Sequence, residues 1–183
     1  MNIRAQSEKG FSLIELLVVV AIIGVLAAVG VVGYQGYIDS TKKSVTESNA
    51  KAVHQWILNT KTVRAAGITV KPSSCDGASV NLDTCFQGAS GVAAAGGPFE
   101  GFKNPYDNSQ TGTNAIVGYD EATAPTTGST TCDSKVSGST KGDIIIWYAS
   151  TSIGASGTDV NVYYCDDSGN IAQQAGLTTI SWD

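Results

Sequence analysis

From Phe11 to Val32 the chain is apolar apart from Ser12 and Glu15, and from Leu16 to Val32 it carries no polar side chain at all. At ~1.5 Å per residue, a helix over this run reaches ~33 Å, enough for the ~30 Å hydrocarbon core of a bilayer. The segment must end up in lipid or packed against other helices. Glu15 sharpens that constraint, because a carboxylate within a lipid-facing helix costs about 3 kcal/mol on insertion scales. Such a charge calls for a partner.

Arg4 and Lys9 stand before the run. By the positive-inside rule they hold the N-terminus in the cytoplasm and send the remainder across, although Lys42 and Lys43 soon after the run weaken the asymmetry. A secretory signal peptide is the plain alternative, with small residues at Leu26-Ala27-Ala28-Val29-Gly30 for cleavage. Two features oppose it: the acid inside the apolar core, and the continuation of the core to Ile38. A simple bitopic anchor leaves Glu15 without a purpose.

With 183 residues, the chain has room for one domain besides this segment. After Gly67 it turns to Gly, Ser, Thr, Ala and Asn, the composition of an exported head with many turns. A formal net charge of −5 and the lack of clustered Lys and Arg argue against nucleic acid as a partner. Cys75, Cys85, Cys132 and Cys165 all follow the apolar run, and none has the C-x-x-C spacing of zinc or redox sites. On the far side of a membrane an even number of cysteines reads as two disulfides. Three pairings are open; short-range closure favours Cys75 with Cys85, which leaves Cys132 with Cys165.

Beyond Asp39 the pattern becomes amphipathic, with Val45, Ala52, Val53, Trp56, Ile57 and Val63 recurring at helical spacings. The helix therefore continues with one face inward, and Gly67 is its stop, Lys61 and Arg64 being placed for the last-turn carbonyls. Residues 70–112, with three prolines and many Gly and Ser, read as a connecting region. Strands are expected at Ala115–Asp120, Asp143–Ala149 and Asp159–Cys165, with Leu177–Trp182 as a weaker fourth. The sum is an α+β fold: a long N-terminal helix, transmembrane then amphipathic, packed on an antiparallel sheet of about four strands and tied by disulfides.

No residue set supports catalysis, a metal or a cofactor. His54 is the single histidine and reads as an exposed or interfacial residue of the amphipathic helix. Asp166-Asp167-Ser168-Gly169-Asn170 offers oxygen ligands but lacks the order and closing Glu of a calcium loop, so it reads as a turn. The Gly-rich pieces near Gly88 and Gly96 do not open a helix and are not phosphate loops. Tyr34 and Tyr37 read as interface material.

Lys9-Gly10-Phe11-Ser12-Leu13-Ile14-Glu15-Leu16, continuing through Val20–Ala28 to Tyr34-Gln35-Gly36-Tyr37, resembles the processing site and apolar helix of type IV prepilins and pseudopilins. The short leader and the Phe are similar to the type IVa branch. That resemblance implies cleavage after Gly10 by a prepilin peptidase and N-methylation of the new amino terminus at Phe11. It also implies a partner for Glu15, the terminal amine of a neighbouring subunit, so that the buried charge is tolerated only on assembly. The implied organisation is a leader 1–10, a transmembrane and filament-core helix 11–38, an amphipathic helix 39–67 and a globular head 68–183.

The function then expected is a structural subunit of a type IV pilus, not an enzyme, that forms a helical homopolymer with the help of pilus assembly machinery. It would sit in the inner membrane before assembly and in an extracellular filament afterwards. A pseudopilin of a type II secretion system is the near alternative, and a membrane-anchored extracellular binding module the more distant one. Gly30, Gly33 and Gly36 recur where type IVa pilins often have a proline, at Val32, and read either as a weak stretch of helix or as a small-residue packing face.

Overall fold

The computed structural model describes residues 10–76, 80–87, 91–150 and 158–182. Helix α1 spans Leu13–Ala65 without interruption, through Gly30, Gly33 and Gly36. It stops at Gly67, whose φ of +73° is open to glycine at no steric cost. There the Gly67 N–H donates to the Arg64 carbonyl (2.8 Å) and the Ile68 N–H to the Val63 carbonyl (3.1 Å). This is the paired-bond C-cap that satisfies the last carbonyls of a helix.

Two compact units divide the chain, residues 1–40 and 41–183. In the first, the side chains of α1 from Leu13 to Tyr37 are exposed, Leu13 at 81% and Val29 at 70%. In the second, α1 buries Thr46, Ala50, Val53, His54, Ile57 and Thr60. Val45 and Ala52, expected on the inner face, are instead exposed. Thr46, His54 and Thr60 take the inward places because each stands one helical step from an apolar neighbour on the face that meets the sheet.

The sheet has five strands: β1 (Ile116–Asp120), β2 (Ile144–Tyr148), β3 (Asp159–Cys165), β4 (Ile171–Ala172) and β5 (Ile180–Ser181), in the order β1-β2-β3-β4 with β5 also on β3. It is mostly antiparallel, but β1 and β2 run parallel, Ile116 opposite Ile144 and Asp120 opposite Tyr148. A parallel pair needs a crossover rather than a tight turn, and residues 121–143, which contain the short helix α3 (Cys132–Lys135), provide it. The expected fourth strand is only β5, and β4 is a further strand just after the Asp166–Asn170 turn.

Alternation along β2 and β3 sorts the core into two layers. Ile144, Ile146, Tyr148, Val160, Val162 and Tyr164 join Val53 and Ile57 of α1, while Ile145, Trp147, Tyr163 and Cys165 join Cys132 and Ile171 on the other face. That is why Ile144-Ile145-Ile146-Trp147-Tyr148 is apolar without a break: every residue of β2 is buried. Cys132 is bonded to Cys165, fastening α3 to the second face. Cys75 is bonded to Cys85 at the start of the connecting region, where Cys85 lies on the short helix α2 (Leu82–Phe86).

Candidate processing and assembly site

Ser12 precedes α1, and its backbone N–H donates to Glu15 Oε2 at 2.9 Å. The first helical bond closes over it, from the Leu16 N–H to the Ser12 carbonyl at 3.2 Å. Ser12-Leu13-Ile14-Glu15 thus has the S-x-x-E spacing of a capping box, in which the acid three residues into the helix reaches back to the N-cap amide. Glu15 also stands in the first turn, where the positive end of the helix dipole favours an anion. The S-x-x-E spacing is the sequence signal for this bond, which gives Glu15 a partner within its own chain.

Gly10 and Phe11 lie immediately before the cap, and both are exposed. Residues 1–9 of the leader, with Arg4 and Lys9, fall outside the described residues. Gly10, Phe11 and Glu15 are therefore gathered at one helix end. Cutting the Gly10–Phe11 bond would leave the Ser12 amide intact, since its nitrogen belongs to the Phe11–Ser12 peptide. The cap and the new α-amine would then lie within two residues of each other.

Residues 6–31 match the family model described as the prokaryotic N-terminal methylation motif. The chain carries a type IV pilin or pseudopilin leader. No curated protein and no solved structure matches the chain. The matched segment covers the Gly10-Phe11 junction, Glu15 and most of the apolar run of the leader-bearing helix. That helix is long and apolar enough to cross a membrane.

In the head, the other residues singled out from sequence have structural places. His54 is buried, not exposed, and its Nε2 lies 2.8 Å from the Thr178 carbonyl. Lys61 and Arg64 also reach the C-terminal stretch: Lys61 Nζ donates to the Ser181 carbonyl, and the Arg64 guanidinium lies 5.5 Å from the Trp182 ring. The three basic residues at positions 54, 61 and 64 thus hold the C-terminal stretch along one face of α1. Trp182 is fully buried there and meets Phe86 edge-on at 5.8 Å.

Asp166 Oδ1 accepts from the backbone N–H groups of Ser168 (2.9 Å) and Asn170 (2.8 Å), a turn motif that leads into β4. Burial pushes the Asp143 carboxyl up to about 6, against the opposing hydrogen bonds from Thr140 and Asn104. The Tyr164 phenol is pushed up to about 12 by burial and by Glu47, to which it donates at 3.3 Å.

Proposed function

We propose that the chain is the structural subunit of a type IV pilus, cut after Gly10, methylated on Phe11 and polymerised through the helix 11–38. The observation that carries this reading is the conjunction of an N-terminal methylation motif at residues 6–31 with a helix whose apolar side chains are exposed from Leu13 to Tyr37. Apolar surface of that extent is stable only in lipid or against other helices. The glycines agree with both settings: a Cβ built on Gly24, Gly30, Gly33 or Gly36 meets nothing within 4 Å. Nothing among the described residues demands these glycines, whereas close approach of a neighbouring helix would.

The precursor would wait in the inner membrane with its head outside, and the filament would take it from there. A prepilin peptidase, the assembly machinery and further copies of the chain are the partners this reading requires. Once Phe11 is the terminus, its amine is cationic near neutral pH and suits the second oxygen of Glu15 on an adjacent subunit, Oε2 being engaged by Ser12. The peptidase, the methyl group and the subunit contact follow from one another in this account. Two disulfides support a pilus subunit over a secretion pseudopilin.

Intact-mass measurement and N-terminal sequencing of the mature protein test the proposal. The expected result is a chain that begins at Phe11 with one added methyl group. A chain that begins at Met1, or that is cut after Ala28, would overturn it.

A further inference from the structure

Asp143 stands just before β2 and is fully buried, yet its hydrogen-bond partners among the described residues are all neutral. Asn104 Nδ2 donates to Oδ1 and the Thr140 N–H to Oδ2, each at 2.7 Å. The third partner is the end of the Gln110 side chain, one of whose amide atoms lies 2.9 Å from Oδ1. We propose that Gln110 is a proton-driven switch: its amide turns over when Asp143 gains or loses a proton, making or releasing a hold on the turn that leads into β1.

The two ends of a primary amide are close in size, but one donates and the other accepts. Around this amide stand Asp143 Oδ1 and the Asn114 carbonyl (3.3 Å) on one side and Thr140 Oγ1 (3.2 Å) on the other. With Asp143 ionised, the nitrogen faces Oδ1, since an oxygen there would set two acceptors 2.9 Å apart. The same nitrogen then donates to the Asn114 carbonyl, and the amide oxygen accepts from the Thr140 hydroxyl. With Asp143 protonated on Oδ1, the new proton needs an acceptor. Asn104 offers none, because its nitrogen is the atom that faces Oδ1. Turned over, the Gln110 oxygen accepts the proton and its nitrogen donates to Thr140 Oγ1, whose hydroxyl points on to Asp143 Oδ2 at 3.5 Å. The bond that does not survive the turn is the one to the Asn114 carbonyl. That carbonyl belongs to the 3-10 turn Gly112–Asn114, so acid loosens this turn while the sheet stays paired.

The charged groups around Asp143 leave both states within reach. Lys103 and Lys141 lie close in sequence to Asn104 and Thr140, but both are exposed and neither forms an ion pair with the carboxylate. On the Asn104 loop, Asp107 adds repulsion and the Tyr106 ring meets Lys42 Nζ (5.5 Å). From β3, the Cys165 N–H donates to the Asp143 carbonyl, and that cysteine is held uncharged in its disulfide; the next residue, Asp166, has Oδ1 engaged by Ser168 and Asn170. Residues 110–114 bring no titratable side chain. Burial without a cation pushes the carboxyl up to about 6, so a mild change of pH crosses it.

NMR on the full chain in detergent micelles, with labelled Asp, Asn and Gln, tests the switch between about pH 4 and 8. The Asp143 carboxyl carbon should titrate near 6. At the same midpoint the Gln110 amide protons should exchange contacts with Asn114, seen above it, for contacts with the Thr140 side chain, seen below it. In each state the fitting orientation should outweigh the other about tenfold or more, as expected when a hydrogen bond to a charged or acidic group is at stake. The Asn114 carbonyl carbon should shift in step. Gln110→Ala, at a half-buried position, should lose that carbonyl shift while Asp143 goes on titrating. The proposal is overturned if Asp143 stays charged throughout, if it titrates while the Gln110 contacts stay the same, or if the Asn114 shift persists in folded Gln110→Ala. Should that variant fail to fold, the contacts of the unaltered chain decide alone.

Discussion

The two halves of α1 invert the usual order of a helix. Residues 13–37 show Leu, Ile and Val outward, whereas residues 41–65 turn Thr46, His54 and Thr60 inward. The first half has apolar side chains all round, and they are exposed among the described residues. The second is half polar and finds cover on the sheet, because its buried polar groups have addresses there or nearby: Thr46 Oγ1 donates to the Lys42 carbonyl at 3.0 Å, and His54 meets the Thr178 carbonyl. Hydrophobicity alone does not place a side chain inside. What decides is whether a complementary surface lies within reach of the same chain.

The comparison breaks most severely at Glu15. Glu15→Val should leave membrane insertion intact or improve it, since a costly charge leaves the apolar run, yet filament assembly should fall sharply or fail. Membrane fractionation and filament yield, from cells with the variant as sole subunit, report the two effects. Normal yield would show that the carboxylate serves only as the cap on Ser12.

A pair of core-sized truncations sharpens the contrast between the halves. Ile57→Ala should destabilise the head by ~2–5 kcal/mol, as a fully buried side chain leaves a cavity against the sheet. Val25→Ala removes a side chain that is 66% exposed and should leave head stability unchanged. Chemical denaturation followed by Trp fluorescence measures both, Trp147 and Trp182 being buried in the head. Equal effects would mean that the first half folds onto the head.

The smallest effect concerns pH, and it belongs to the head alone. Asp143 is pushed up to about 6 from an ordinary 3.8, so the folded head holds the proton more tightly than the unfolded chain does. Its contribution is therefore fully present below about pH 4 and is lost as pH rises through about 6. Asp143→Asn should flatten that part of the stability profile, read as melting temperature between pH 4 and 7. A slope that persists unchanged in the variant would assign it to another group.

Local pattern alone carried much of this molecule: an apolar run as long as Leu16–Val32 is helix in lipid or among helices, Gly67 ends a helix because it accepts positive φ, and β-branched runs mark the strands. Ser12-Leu13-Ile14-Glu15 was equally local, and a reading by capping spacing would have found it. The tertiary structure decided what depends on distant partners. Nothing near His54 in sequence announces the Thr178 carbonyl, nor do Lys61 and Arg64 reveal that they reach Ser181 and Trp182. The parallel pairing of β1 with β2 likewise follows from where residues 121–143 cross and where Cys132 meets Cys165. Periodicity states which side of an element is apolar, but a buried polar group is stable only beside its partner, and partners separated by a hundred residues are set by packing.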